Sequence, residues 1–468
     1  MLRAPSIPSR SWLLLLLSLP LLAGCGPVSS DRGAGGGDLG TSFVVVLADD
    51  LGWADISCQG SEWETPAIDA LARRGLRVAR AYSNGPNCAP SRAYLMTGRD
   101  MTSHGIFTVA PSARGKAENR KLDPPPTRRA LPDGAATIAT ELGEAGYRTA
   151  HIGKWHLGSD PRAHGFERAV AGNQRGSPKT HLAPWGLPDL PEGAKGTELA
   201  DALTDQAIDF IEECGEEPFL LVLSHYAVHT PVQADPARVR QWQEKLPEAD
   251  RRRWRYAALV ESVDRSVGRL VDALERTGRA GDTLVIFTSD NGGHEGFTDN
   301  GPLRGAKGML YEGGIRVPFI AAGPGIRGNR TEERVPLQLS DLYPTFLEIA
   351  GRSASEELVG ESLVPLLRGR RSSLAKRELH WHFPAYLEGS RTRGTWRTTP
   401  ASVIWRGDYK LLHFYESDSV ELYHRRDVGE ENDLAEERPR EAGELRASLE
   451  EWRSKAGLPI PRPLPPSC

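Results

Sequence analysis

Phe43-Val44-Val45-Val46-Leu47-Ala48-Asp49-Asp50 is an unbroken apolar, largely β-branched run closed by two carboxylates. Continuous rather than alternating hydrophobicity marks a strand covered on both faces, as in a parallel sheet wrapped by helices. The same texture recurs at residues 219–223, 284–288 and 317–321, with a shorter version at 149–152. Helical patterns lie between these runs: 66–74, with Thr65 as N-cap and Gly75 past the end, 136–145 followed by Gly146, 199–213 and 256–276. Strands alternating with helices predict an α/β sandwich with a mainly parallel central sheet.

From about residue 375 the texture changes to short strand-like pieces at 402–406, 410–415 and 420–423, then an acidic loop and a helix near 442–455. This predicts a small antiparallel sheet with one helix. Five prolines after Gly457 (Pro459, Pro461, Pro463, Pro465 and Pro466) suit an extended surface tail. At the other end, Arg3 and Arg10 precede an apolar run at 12–22, too short for a spanning helix and typical of a secretory signal. Leu22-Ala23-Gly24-Cys25 resembles the bacterial lipobox, which implies export, lipidation of Cys25 and a place in the cell envelope as a membrane-anchored lipoprotein. The organisation expected is a signal peptide at 1–24, a flexible tether at 25–41, a catalytic domain at 42–370 and a small α+β subdomain at 371–468.

The 468 residues, 39% of them hydrophobic, are enough for a large core, and the 49 Gly and 35 Pro show no repeat period. With 58 Lys+Arg against 62 Asp+Glu and no basic stripe, the chain lacks the footprint that nucleic-acid binding requires. Besides Cys25, the cysteines are Cys58, Cys88, Cys214 and Cys468, too scattered for a disulfide framework.

In open α/β sheets, ligands collect beyond the carboxyl ends of the strands. Here one strand runs into Asp49-Asp50 and another into Asp290-Asn291. A single doublet reads as an ordinary turn, but two at matched positions supply a hard oxygen set with three negative charges, which calls for a divalent cation. Oxygen donors alone favour Ca²⁺ or Mg²⁺ over zinc. Other strand ends lead to Lys154 and His156, and to His225 and His229, groups suited to an anionic substrate. Pro90 and Gly98 bracket a helix whose N-terminus carries Cys88, where unpaired N–H groups favour anions and activate the thiol, with Arg92 one turn in.

Cys88-Ala89-Pro90-Ser91-Arg92 with Thr97-Gly98-Arg99 resembles the C-x-P-S-R…T-G-R signature of type I sulfatases, in which this cysteine is oxidised to formylglycine. The resemblance extends in order through 48–52, 153–158, 226–231, 289–293, 303–307 and 312–318, covering about residues 42 to 350. It implies an alkaline-phosphatase-like core and one Ca²⁺, with Mg²⁺ second, held by Asp49, Asp50, Asp290, Asn291 and the oxygen of the modified Cys88. It further implies a formylglycine hydrate as nucleophile, assisted by Arg92. His229 and Lys307 would bind the sulfate and protonate the leaving oxygen, with His156 as base and Lys154 supporting it. The implied partners are a sulfated glycan or aryl sulfate and a formylglycine-generating or anaerobic sulfatase-maturating enzyme. A phosphatase or phosphonate hydrolase of the same superfamily is the nearest rival, and a glycan-binding lipoprotein with a dead site is a rival of another class. Neither a second set of metal ligands nor a missing catalytic position favours them. Specificity is expected in the segments 104–133, 162–185 and 294–300, with Trp185 either a sugar platform or a packed anchor.

Overall fold

The computed structural model describes residues 41–370, 373–389 and 394–464. The signal peptide, Cys25, most of the tether and Cys468 lie outside them. An eight-stranded sheet forms the centre, and its middle is parallel: Thr283–Ser289, Ser42–Ala48, Phe219–Ser224, Arg148–Gly153 and Arg168–Val170 run side by side. Val45 sits opposite Val222 on one side and Ile286 on the other. Side chains alternate faces along each strand. Val44, Val46, Leu221, Leu223 and Phe287 enter one core with the helices Pro66–Arg74, Leu199–Cys214 and Arg251–Arg276. Phe43, Val45, Leu47, Leu220 and Ile286 enter the other, under Cys88–Thr97, Ile138–Glu144 and Leu342–Ile349. Both faces are therefore dry, which is why the strands show no alternation. Each such side chain contributes about 1.5–3 kcal/mol by leaving water.

The run at 317–321 departs from the expectation of one buried parallel strand. Pro318 cannot donate to a ladder, and the run divides there. Arg316–Val317 pairs with Ala81–Tyr82 in a small separate sheet, and Phe319–Ala322 joins the large sheet antiparallel to Thr283–Ser289. The helix read at 256–276 starts earlier, at Arg251, where Asp250 accepts from the backbone N–H groups of Arg252 and Arg253.

The C-terminal sheet has four antiparallel strands in the order Glu378–Phe383, Ala401–Arg406, Tyr409–Phe414 and Ser419–His424; the first went unread in the sequence. Trp381, Val403 and Trp405 pack on Tyr82, Leu310 and Ile315 of the main body. Ile404, Leu411 and Leu422 face the helix Pro439–Ala456. In the tail, Arg462–Pro463 pairs with Leu122–Asp123.

Candidate active site

The carboxyl ends of the parallel strands converge, and a ten-residue helix points its N-terminus at them. Cys88–Thr97 is buried along its whole length and ends at Gly98, whose φ of 61° closes the helix in the left-handed region. Cys88 Sγ thereby lies 3.6 Å from Asp49 Oδ1, 3.9 Å from Asp50 Oδ1 and 3.3 Å from Lys307 Nζ. Asp50 N–H donates to Asp290 Oδ1 at 3.3 Å, and Asn291 Nδ2 donates to Asp50 Oδ1 at 2.9 Å. Asp49, Asp50, Cys88, Asp290 and Asn291 thus come together from three segments distant in the chain.

Glycines bring the Lys307 segment in. Gly292 donates to Gly314 O at 3.0 Å, and a Cβ at Gly292 would lie 1.9 Å from Gly313 O, so only interlocked backbones fit there. Lys307 N–H donates to Gly293 O at 3.0 Å, and its Nζ lies 2.7 Å from Asp50 Oδ2. Asp50 and His156 hold φ of 63° and 62°, a conformation that costs free energy and is tolerated where the site needs it.

Charges inside this cluster are matched one to one, which corrects the sequence argument for a cation. Lys154 Nζ sits 2.6 Å from Asp49 Oδ2, with both groups fully buried. Lys307 neutralises Asp50, and Arg92 closes on Asp290 with Nε at 2.8 Å and Nη2 at 2.7 Å. Arg92 also donates to Lys154 O at 2.7 Å and to Ser224 Oγ. Three carboxylates can therefore coexist without a metal. What fits a divalent cation is the donor set. Asp49, Asp50, Cys88 and His229 each place a ligand atom within 4.8 Å of the others. Asn291 Oδ1 is buried with no hydrogen-bond partner, a carbonyl-type oxygen left available at the same spot.

Burial raises the Asp49 carboxyl above the ordinary range despite Lys154. Burial acts the same way on Asp50, but Lys307, His229 and Lys154 outweigh it and hold that carboxyl low. Lys307 is raised: burial opposes its charge, and Asp50 and Cys88 overcome that. Burial, then Lys154 and Arg92, lower His156; burial and Lys307 lower His229 against Asp50. His229 Nε2 is 3.6 Å from Asp50 Oδ2, and its Nδ1 faces Thr230 O at 2.8 Å. His156 is buried with Nδ1 unpartnered and lines a recess of 190 Å³ with Ala89, Arg128 and Gln174.

His225 does not join them. It turns behind the sheet, bonds Ser266 Oγ through Nε2 at 2.9 Å, and is pushed down to about 4 by burial. Trp185 is 1% exposed and belongs to the core, so it is a packed anchor. Several residues that hold the site carry no readable sequence signal. His181 Nε2 meets His229 O at 2.9 Å, Ser224 supports Arg92, and Asn300 clamps Gly293 through its N–H at 3.0 Å and its carbonyl at 3.1 Å. Beside Lys307 opens a groove of about 650 Å³, lined by Arg252, His294, Phe297, Asn300, Ala306 and Arg397.

Residues 41–352 match the family model Sulfatase, and residues 305–455 match N-sulphoglucosamine sulphohydrolase, C-terminal. A sulfatase of Formosa agariphila is 31% identical across 89% of this chain and 89% of its own length. The human N-acetylgalactosamine-6-sulfatase is 32% identical across 72% of this chain and 68% of its own. Among solved structures, that of Ps i-CgsB in complex with k-i-k-neocarrahexaose superposes with a TM-score of 0.74 at 28% identity, covering 88% of this chain and 92% of that one. Two thirds of the sequence falls within one family, and its signature residues converge in space. The chain therefore belongs to the sulfatase family and is a sulfuric ester hydrolase of alkaline-phosphatase-like fold.

Proposed function

We propose that the protein removes sulfate from sulfated glycans, with Cys88 as formylglycine at the point of attack and one Ca²⁺ held by Asp49, Asp50, Asp290 and Asn291. The observation that carries this reading is the place of Cys88, at the mouth of a buried helix N-terminus and 3.3 Å from an ammonium that is itself paired to Asp50. As formylglycine hydrate, position 88 supplies an oxygen nucleophile, and a divalent cation beside it supplies Lewis-acid polarisation. The chain's own residues do the rest. Lys307 offers its ammonium to a sulfate oxygen at Cys88. His229 stands on the same side; with Nδ1–H held by the Thr230 carbonyl, it acts as the acid in its doubly protonated form, passing the Nε2 proton to the leaving oxygen, and His156 with Lys154 takes the proton lost when sulfate departs. Arg92, spent on Asp290, the Lys154 carbonyl and Ser224, holds these groups in register.

A glycan is favoured over a small aryl ester by the groove beside Lys307, which exceeds what a phenyl ring fills. The relatives named above point the same way: one is an N-acetylgalactosamine-6-sulfatase, and one was solved with k-i-k-neocarrahexaose. Export and lipidation of Cys25 complete the proposal, tested by loss of lipid labelling in Cys25→Ala.

The test is protein produced with a maturing enzyme. The Cys88 peptide should be about 18 Da lighter, thiol having become aldehyde, and free sulfate should be released from sulfated saccharides. A fully active enzyme with an intact thiol would overturn the mechanism. Faster turnover of phosphate than of sulfate esters would overturn the substrate class.

A further inference from the structure

Among the described residues, the groove beside the reactive centre contains one guanidinium whose hydrogen bonds within the protein are few and long. Arg397 lies on the short strand Trp396–Thr398, which pairs with Leu387–Glu388 and lies against Gly308. That glycine has φ of +89°, and a Cβ there would meet Leu387 Cδ1 at 2.6 Å and Arg397 Cδ at 3.2 Å, so the strand is drawn tightly over the residue after Lys307. Arg397 is 19% exposed by side chain. Its contacts are a 3.5 Å bond from Nη1 to Lys307 O and a 3.6 Å ion pair from Nε to Glu295 Oε1, and Nε makes no hydrogen bond. The buried Arg92 and the nearly buried Arg377 are engaged more closely. Arg92 reaches Asp290, a carbonyl and a hydroxyl, and Arg377 reaches Asp341 with Nη1 at 2.7 Å and Nη2 at 2.5 Å.

Guanidinium presents five donors in a rigid fork, and in a half-buried site those the protein leaves free are met by water that a ligand with matching acceptors can displace. The position of Arg397 tells which ligand. Arg397 lines the groove together with His294 and Ala306, and its Nη1 lies 3.5 Å from the backbone carbonyl of Lys307, the residue whose ammonium stands at Cys88. A sugar whose ester sulfate rests at Lys307 would carry its next substituents toward Arg397.

Resting on the glycan reading above, we propose that Arg397 receives a second anionic substituent of the same saccharide, a sulfate or a carboxylate, and so makes this chain selective for multiply charged glycans. A fork binding an anion bidentately gives both affinity and orientation. Arg252 and Arg253, at the start of the helix Arg251–Arg276, also line the groove, but they are exposed and already paired with Asp250 and Glu62, so among the described residues the selectivity is assigned to Arg397.

The experiment compares wild type, Arg397→Gln and Arg397→Lys on four substrates: 4-nitrophenyl sulfate, a monosulfated disaccharide, the same disaccharide with a second sulfate, and the same with one sulfate and one uronic carboxylate. The ratio of kcat/KM on the better doubly charged disaccharide to that on 4-nitrophenyl sulfate should fall about 10- to 100-fold in Arg397→Gln, the worth of a charge-assisted pair. Arg397→Lys should recover only part of it. The second-sulfate and carboxylate arms show which anion is read. In parallel, Cys88→Ala protein, which has no side-chain heteroatom to become an aldehyde and cannot turn over, should bind the doubly charged disaccharide at least tenfold more weakly when it also carries Arg397→Gln. A ratio that stays constant while all four substrates lose activity together would show that Arg397 merely supports the Lys307 backbone, and would overturn the proposal. Wild type preferring the monosulfated disaccharide would overturn it too. Absence of sulfate release from every substrate alongside intact, Arg397-dependent binding would count against the hydrolytic reading instead.

Discussion

Replacing Lys410 with Met should destabilise the protein by about 3–5 kcal/mol near pH 8, because this ammonium is the shared counter-charge of two buried carboxylates. Lys410 Nζ lies 3.0 Å from Glu312 Oε1 and 2.8 Å from Glu430 Oε1, with all three side chains at 10% exposure or less. Glu312 has other support, from Tyr82 OH at 2.9 Å and Arg316 at 3.5 Å, whereas Lys410 is the cation of Glu430. Two carboxylates sharing one ammonium titrate as a set, and burial pushes Glu430 up to about 7 from 4.5 while Lys410 pulls it down. A carboxyl raised in the folded state contributes stability fully below its unfolded value and loses it as pH rises through the folded one; that displacement corresponds to about 3 kcal/mol between pH 4.5 and 7. In Lys410→Met the downward pull is gone, so the loss extends above pH 7 and the deficit against wild type grows with pH. Adding Glu430→Gln removes the stranded charge and should restore at least half of the loss. Urea denaturation of wild type, single and double variants at pH 5, 6.5 and 8 reads this directly. A deficit that does not change with pH, or a double variant as unstable as the single one at pH 8, would refute the assignment of Glu430 as the stranded group.

A chelator should lower the melting temperature, and Ca²⁺ should restore it better than Zn²⁺; at a hundredfold excess over Kd, binding to the native state alone is worth about 2.7 kcal/mol. Unchanged melting and activity would contradict the cation site. His229→Ala should lose on the order of 10²-fold more kcat on a sugar sulfate than on 4-nitrophenyl sulfate, since a poor leaving group needs the proton. Equal losses would pass the acid role to Lys307. Arg92→Lys should reduce kcat by at least about 10²-fold, because a point charge cannot span Asp290, the Lys154 carbonyl and Ser224 together. Near-wild-type kcat would show that the fork is dispensable.

The sequence by itself determined what local chemistry can encode. Dry strands announce themselves by uninterrupted β-branched residues, because no face needs to meet water, and the alternating helices then require a parallel sheet. The Cys88 helix was legible from Pro90, Gly98 and its signature, and the convergence of Asp49, Asp50, Asp290 and Asn291 from doublets that end strands. Tertiary structure alone decided where each of these groups was aimed. His225 and His229 follow one strand four residues apart, yet one turns to Ser266 behind the sheet and the other to Asp50. The three carboxylates looked unbalanced in the sequence because their partners, Lys154, Lys307 and Arg92, come from other strand ends and are paired only once the chain is folded. Pro318 diverts a run that looked like one strand into two sheets. Arg397 lies ninety residues from Lys307 and has no local signal at all, and its place in the groove comes from a close approach that only Gly308 permits. Burial patterns and turns depend on neighbours along the chain, whereas charge pairing and side-chain aim depend on which segments the folded core brings together.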